Sequence, residues 1–394
     1  MRAKIREFAQ VVNGSTPSTN RADYYDGNII WFTPKDLSDQ NSKYIYYSER
    51  CITQVGYDSC STQMIPAGNL LMSSRAPIGL LAINKRECCT NQGFKSFIVD
   101  ETKCLVEYLY YYLKYHIKEV EALGSGTTFK EVSKNSIENY DIELPSLVIQ
   151  NNIVSILKNI DDKIANNNAI NAELEAMAKT IYDYWFLQFE FPDENGKPYK
   201  SSGGKMVYNE ELKREIPEGW SIDKISSVAM LYQPQTISEN EMMANGKYFV
   251  YGANGIVGKY HSFNHESNEI AICCRGASCG QFIMTQPLAW ITGNAMVVKP
   301  TSFCGREYLF YGLSYKTIAP YITGSAQPQI TRTNLENMRV LIPHRETVDK
   351  FEQFALEIRA KTQMIFAENQ ELASFRDFLL PLLMNGQVGF KEDV

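Results

Sequence analysis

Cys104-Leu105-Val106-Glu107-Tyr108-Leu109-Tyr110-Tyr111-Tyr112-Leu113-Lys114-Tyr115 returns two hundred residues later as Cys304-Gly305-Arg306-Glu307-Tyr308-Leu309-Phe310-Tyr311-Gly312-Leu313-Ser314-Tyr315. The same offset aligns Gly124-Ser125 with Gly324-Ser325. It also brings Ser74-Arg75-Ala76-Pro77-Ile78-Gly79 near Cys274-Arg275-Gly276-Ala277-Ser278-Cys279-Gly280. After a slip of two residues, Ile137-Glu138-Asn139 meets Leu335-Glu336-Asn337, Pro145 meets Pro343, Ile160 meets Ile358, and Glu173-Leu174 meets Glu371-Leu372. Agreement at this many positions in short windows marks a tandem duplication. A period this long exceeds any solenoid repeat, so the copies are domains and not array units. The 394-residue length suits two of them.

Each copy ends in a run with heptad spacing, which predicts a long helix. In the first, Ile153, Ile160, Leu174 and Ile181 share one seam position, and Ile156, Ile170 and Met177 the other. In the second, Phe351, Ile358, Ile365, Leu372 and Leu379 share a seam with Phe354, Phe375 and Leu382. Lys163 and Asn167, and Lys361 and Glu368, interrupt the seams midway; buried polar seam residues fix register at a cost in stability. The plainer reading has each helix packed on its own domain. Matched length and phase favour a mutual, antiparallel coiled coil instead. Each helix would be roughly 50 Å long, enough to span more than one turn of DNA at about 34 Å. Pro381 predicts a kink or end in the second helix.

Between the copies, Phe191 to Trp220 (FPDENGKPYKSSGGKMVYNEELKREIPEGW) is dense in Pro, Gly, Ser and Lys and loses apolar periodicity, so it reads as a linker or extended arm. Short runs such as Asn28–Phe32 and Glu269–Ile272 read as strands, and 107–121 as a helix. The predicted fold class is α+β, a mixed arrangement with a pseudo-two-fold repeat. On this reading residues 1–148 are the first globular domain, 149–187 the central helix and 188–219 the linker. Residues 220–346 are expected to be the second globular domain, 347–386 the C-terminal helix and 387–394 a tail.

Hydrophobic residues make up 44% and charged residues 21%, normal for a chain with real cores. The first residues hold no apolar stretch of the signal-peptide kind, and no run approaches the roughly 18 residues of a membrane span, so a cytoplasmic protein without a membrane partner is expected. The nine cysteines are single or adjacent, never Cys-x-x-Cys, which fits reduced thiols. Net charge is −6 and the pI about 5.5, unusual for a chain that binds DNA alone. Either the basic residues gather on one face or partner subunits supply most phosphate contacts.

Catalytic patterns are few. Pro192-Asp193 followed by Glu211-Leu212-Lys213 matches a metal-dependent nuclease literally, but in the least regular stretch. Gly203-Gly204-Lys205 is followed by Met206 and makes no phosphate loop. No Asn/Asp-Pro-Pro-aromatic segment of an amino-methyltransferase occurs. His261 and His265 with Cys273-Cys274 fit no common zinc spacing, and no metal site is expected. Two matched domains without catalytic motifs point to a binder. A protein-only coiled-coil adaptor and a stand-alone endonuclease or methylase are the rival readings. Base edges are read by Arg, Lys, Asn and Gln on polar, glycine-rich loops. The first domain offers Thr16, Lys35, Arg75, Asn91 and Gln92; the second offers Tyr251, Asn254, Arg275, Asn294 and Gln327. Arg75 and Arg275 hold equivalent places, which favours phosphate clamping or folding over base reading. Sequence choice is expected where the copies differ, as at Lys35-Asp36 and 251–255.

Several segments resemble the specificity subunit of type I restriction-modification systems. They are Gly14–Ser18, Ile30–Leu37, Ser73–Gly79, Asn91–Lys95, Gly196–Gly204, Ile216–Trp220 and Tyr251–Gly258, which together follow the family's order along the whole chain. The first copy lacks an Ile-Pro-x-Gly-Trp lead-in and starts almost at Ile5, which reads as a short N-terminus. The resemblance implies a non-catalytic subunit in which each domain reads half of a bipartite double-stranded DNA target. The paired helices would set the gap and dock two modification subunits that methylate adenine. Restriction subunits would join them. S-adenosylmethionine, ATP and magnesium would belong to those partners, and this chain would bind no cofactor.

Overall fold

The computed structural model describes residues 2–38, 40, 42–126, 130–243, 245–252, 255–276, 278–301, 304–324 and 327–389. The chain divides into two compact units, residues 1–167 with 368–394, and residues 168–367.

In the first unit the central sheet has five strands in the order Ala9–Asn13, Lys95–Val99, Leu70–Ser74, Ile78–Asn84 and Tyr44–Ile45. Its neighbours include Tyr25–Phe32, which pairs antiparallel with Cys51–Ile52 and parallel with Cys89–Thr90. Arg2–Lys4 pairs with Asp141–Glu143, so the domain's first and last strands lie side by side. In the second unit Ala229–Tyr232, Ala295–Pro300, Ile270–Cys273 and Phe282–Met284 form a sheet in the corresponding order. Tyr248–Gly252 pairs antiparallel with Gly255–Tyr260 and parallel with Trp290–Ile291, and Ser221–Lys224 pairs with Arg339–Ile342. The strands expected around Asn28–Phe32 and Glu269–Ile272 are present. The second run has no exposed face, with Ile270, Ala271 and Ile272 fully buried; in the first, Trp31 and Phe32 are buried while Ile29 and Ile30 are half-buried.

The repeated Tyr-Leu motif explains itself in these frames. The Val106–Tyr115 helix lays Tyr108 into the first core, and its hydroxyl donates to the Glu143 carbonyl at 2.8 Å. The Arg306–Ser314 helix does the same with Tyr308 and the Leu341 carbonyl, also at 2.8 Å. Each hydroxyl thereby satisfies a carbonyl of the strand that leads into the long helix. The helix expected over 107–121 is two helices, Val106–Tyr115 and Ile117–Ala122. His116 breaks it at φ −91°, ψ 20°, with its ring against Tyr112 and its Nδ1 beside Glu119.

The long helices are Leu147–Tyr182 and Arg345–Met384. Within the first unit Ile153, Val154 and Leu157 join the domain core, as do Leu380, Leu383 and Met384. Asp161 accepts from Arg376 at 2.9 Å, and Lys163 pairs with Glu368 at 3.4 Å. Asn167, 1% exposed, donates to Glu368 at 2.7 Å and Asn369 at 2.8 Å. Residue numbers rise along one helix as they fall along the other. Within the second unit Ala178 and Tyr182 pack with Phe351, Ala355 and Ile358. Of the expected seam, Ile153, Ile160 and Ile358 are buried, while Leu174, Ile181, Ile365, Leu372 and Leu379 are half-buried. Ile170, Met177 and Phe375 are exposed. Pro381 does not end the second helix, which runs one turn further. Asn385 N–H reaches the Pro381 carbonyl at 3.0 Å, and the packed Leu380, Leu383 and Met384 hold that turn in place.

The segment expected as a linker is folded. Met206–Asn209 and Arg214–Pro217 form a hairpin, and Phe191 stacks between Tyr199 and Trp220 at 4.6 and 5.0 Å. Its aromatic side chains are irregularly spaced, so no periodicity reveals the burial.

Candidate nucleic-acid interface

In the first domain the loop candidates converge on Gly93. Asn91 turns back so that its Oδ1 accepts the Gly93 N–H at 2.8 Å, and its own N–H donates to the Phe32 carbonyl at 3.0 Å. The Gly93 carbonyl accepts from Ser74 N–H at 2.7 Å, which places Arg75 beside it. The Pro34 ring lies against the Gly93 backbone, bringing up the short Pro34–Ser38 helix that carries Lys35. Thr16 reaches Gln92 through its hydroxyl, and Ser15 N–H donates to the Thr90 carbonyl at 2.9 Å. Thr16, Asn91 and Gln92 are thus one cluster, with Lys35 and Arg75 on adjoining segments. Lys35 is exposed and pairs with Glu49 at 2.7 Å.

The second domain repeats this junction. Thr292 N–H donates to the Tyr251 carbonyl at 2.9 Å, and the Asn294 carbonyl accepts from Cys274 N–H at 3.1 Å, beside Arg275. Arg275, Asn294 and Gln327 are exposed. Tyr251 is only 5% exposed, and its hydroxyl accepts the Gln286 N–H at 3.0 Å. Burial raises its pKa, and the side chain serves the core while its backbone supports the loop. Asn254 lies outside the described residues.

The loops after each arginine share an uncommon backbone. Ala76 has φ +49° and Gly276 φ +79°, both in the left-handed region. An alanine there stores strain that the surrounding loop must hold. Ser73 supplies part of that support: its Oγ donates to the Pro77 carbonyl at 2.7 Å and accepts Leu80 N–H at 2.8 Å.

Two side chains escaped the sequence reading. Lys95, almost fully buried, lies 3.1 Å from Glu131, and Arg75 lies 3.8 Å from the other oxygen of the same carboxylate. Lys95 ends the Asn91–Lys95 segment, whose sequence gives no sign of a partner 36 residues away. Residues of the catalytic and metal patterns have structural partners instead. Asp193 caps its own turn by accepting Asn195 and Lys197 N–H at 2.8 Å, and Glu211 pairs with Arg339 at 2.6 Å. His265 bonds Tyr232 and Asn264, and burial, then Lys299, lowers its pKa. All nine cysteines are free thiols, and burial pushes Cys88, Cys89 and Cys274 up to about 12. Among the described residues no group of three or more His, Cys, Asp or Glu is placed to hold a metal. No described helix is long and apolar enough to cross a membrane.

The profile of the "Type I restriction modification DNA specificity domain" matches residues 1–176 and 217–363. This chain belongs to the type I restriction-modification specificity family. Among its relatives, the MjaIX specificity subunit of Methanocaldococcus jannaschii is 29% identical over 99% of this chain and 93% of its own length. The EcoprrI specificity subunit of Escherichia coli is 25% identical over 85% of this chain and 81% of its own. In fold, the chain resembles the crystal structure of the type I system S subunit from M. genitalium. The TM-score is 0.55 at 16% identity, covering 100% of this chain and 96% of that one. As in other specificity subunits, the chain's role in the family is recognition and not catalysis.

Proposed function

We propose that this specificity subunit reads a bipartite double-stranded DNA target, one half per recognition domain. The observation that carries the reading is the repeated junction. In both domains one short parallel pairing and one backbone bond from the residue before an arginine bring the same loops together. Phosphate contacts would set position and base-edge contacts would set sequence. Arg75 and Arg275 take the first task. Thr16, Lys35, Asn91 and Gln92, with Asn254, Asn294 and Gln327, are the candidates for the second. Domain limits of 1–148 and 220–346 follow from the repeat.

The long helices would form an antiparallel coiled-coil spacer that relates the domains by a pseudo-two-fold axis and fixes the gap between half-sites. The seam residues Ile153, Ile160, Leu174, Ile181, Ile358, Ile365, Leu372 and Leu379 would hold it. Apolar side chains left in solvent along the helices suit docking of two modification subunits; Met177 is 51%, Met364 73% and Phe378 63% exposed. The modification subunits would carry S-adenosylmethionine. Restriction subunits would carry ATP and magnesium, and the assembly would work in the cytoplasm.

Footprinting of the assembled complex tests this reading. Two protected patches separated by an accessible gap are expected, and Arg275→Ala should weaken binding without moving either patch. A single patch, or protection independent of sequence, would instead favour the protein adaptor.

A further inference from the structure

The two domains treat their arginines differently at one matched place. The match is fixed by backbone bonds: Val132 N–H donates to the Ser74 carbonyl at 3.0 Å, and Ile330 N–H to the Cys274 carbonyl at 3.0 Å. Just before these residues, Glu131 pairs across to Ser125 and Gln329 to Thr323. Glu131 therefore corresponds to Gln329. On the central sheets Leu70 faces Phe97 and Ile270 faces Val298, so Lys95 corresponds to Met296. The first domain has a buried lysine and a carboxylate where the second has a buried methionine and an amide. The exchange is charge-neutral, and both members change together.

Geometry gives the pair a task. Lys95, with its side chain 8% exposed, holds one Glu131 oxygen at 3.1 Å, a hydrogen-bonding distance. Arg75 stands 3.8 Å from the other oxygen, beyond a good hydrogen bond but within electrostatic reach. The buried ammonium is too enclosed to meet DNA and engages the Glu131 oxygen that the Ser74 hydroxyl also approaches, at 3.4 Å. We propose that Lys95 and Glu131 are a positioning pair for Arg75: Lys95 restrains Glu131, so that the carboxylate orients the guanidinium without capturing it from a DNA backbone phosphate. Met296 and Gln329 make such a restraint unnecessary beside Arg275. The proposal rests on the reading of this face as the DNA interface.

The test uses the complex with its modification subunit, a duplex bearing its mapped target and a scrambled duplex, each titrated with salt. Lys95→Met frees Glu131 to grip Arg75 and repel phosphate. It should weaken binding to both duplexes about tenfold at low salt. Adding Glu131→Gln recreates the second domain's pair and should restore wild-type affinity, whereas adding Glu101→Gln at an exposed turn should not. Thermal melts check that each variant is folded. If Lys95→Met loses stability, the Lys95→Met/Glu131→Gln variant remains decisive, because it must bind as the wild type does. Wild-type affinity in folded Lys95→Met, an unrescued double variant, or equal rescue by Glu101→Gln would overturn the positioning pair. A wild-type complex that does not distinguish the duplexes would overturn the DNA reading itself, and the proposal with it.

Discussion

Tyr108 and Tyr308 carry the repeated motif because each buried hydroxyl closes a carbonyl that would otherwise lack a partner. Tyr308→Phe keeps the ring and strands the Leu341 carbonyl, so a loss of about 1–2 kcal/mol is expected in denaturant unfolding. An unchanged midpoint would contradict this assignment. Glu352 gives a second residue-level prediction. Its carboxylate accepts Tyr308 N–H at 2.6 Å, yet burial pushes its pKa up to about 7, with Glu307 adding to the rise against that hydrogen bond. A raised folded-state pKa favours folding fully below the ordinary value of 4.5, and that contribution is lost as pH rises through 7. Glu352→Gln should therefore gain stability on the wild type between about pH 5 and pH 8, by a difference of order 1–3 kcal/mol. A pH-independent difference in melting temperature would contradict it. Neither feature was legible beforehand, because a hydroxyl's partner and a carboxyl's burial depend on residues more than thirty positions away.

At the scale of elements, the helices were the most legible part of the chain and their faces the least. Heptad spacing finds both, since one apolar stripe must be buried somewhere. It does not say against what. Ile153 serves the first domain's core and Ile358 packs with Ala178, Tyr182 and Phe351, while Ile170 and Phe375, given the same status by spacing, remain exposed. The polar interruption at Asn167 proves informative: both amide hydrogens are used, on Glu368 and Asn369. Asn167→Ala should cost about 1–3 kcal/mol, and a double-mutant cycle with Glu368→Gln should show coupling of about 1 kcal/mol. Additive effects would contradict this pairing. The hairpin between the copies escaped detection for the opposite reason. Over residues 191–220, glycine, proline and lysine are frequent and suggest a loop, whereas three aromatic rings, Phe191, Tyr199 and Trp220, decide the packing.

For the whole molecule, the duplication was visible in side chains such as Cys104 and Cys304 before any fold was known. The interface was visible only as residue types. Arg75 and Arg275 fell at matched places, but Tyr251 belongs to the core, and Lys95 with Glu131 emerged only from three-dimensional proximity. If the helices set the gap, inserting one heptad into both should lengthen the spacing between half-sites and leave their bases unchanged. Methylation mapping would detect the longer gap; changed bases at constant spacing would contradict the ruler.

The most direct measurement is to co-express the chain with its modification subunit and map methylated adenines across the host DNA by single-molecule sequencing. A split motif with a constant gap is expected. It should vanish when this gene is deleted and change in one half only when residues 1–148 are exchanged. A continuous motif, both halves changing together, or no motif while the modification subunit is active and bound would contradict the account.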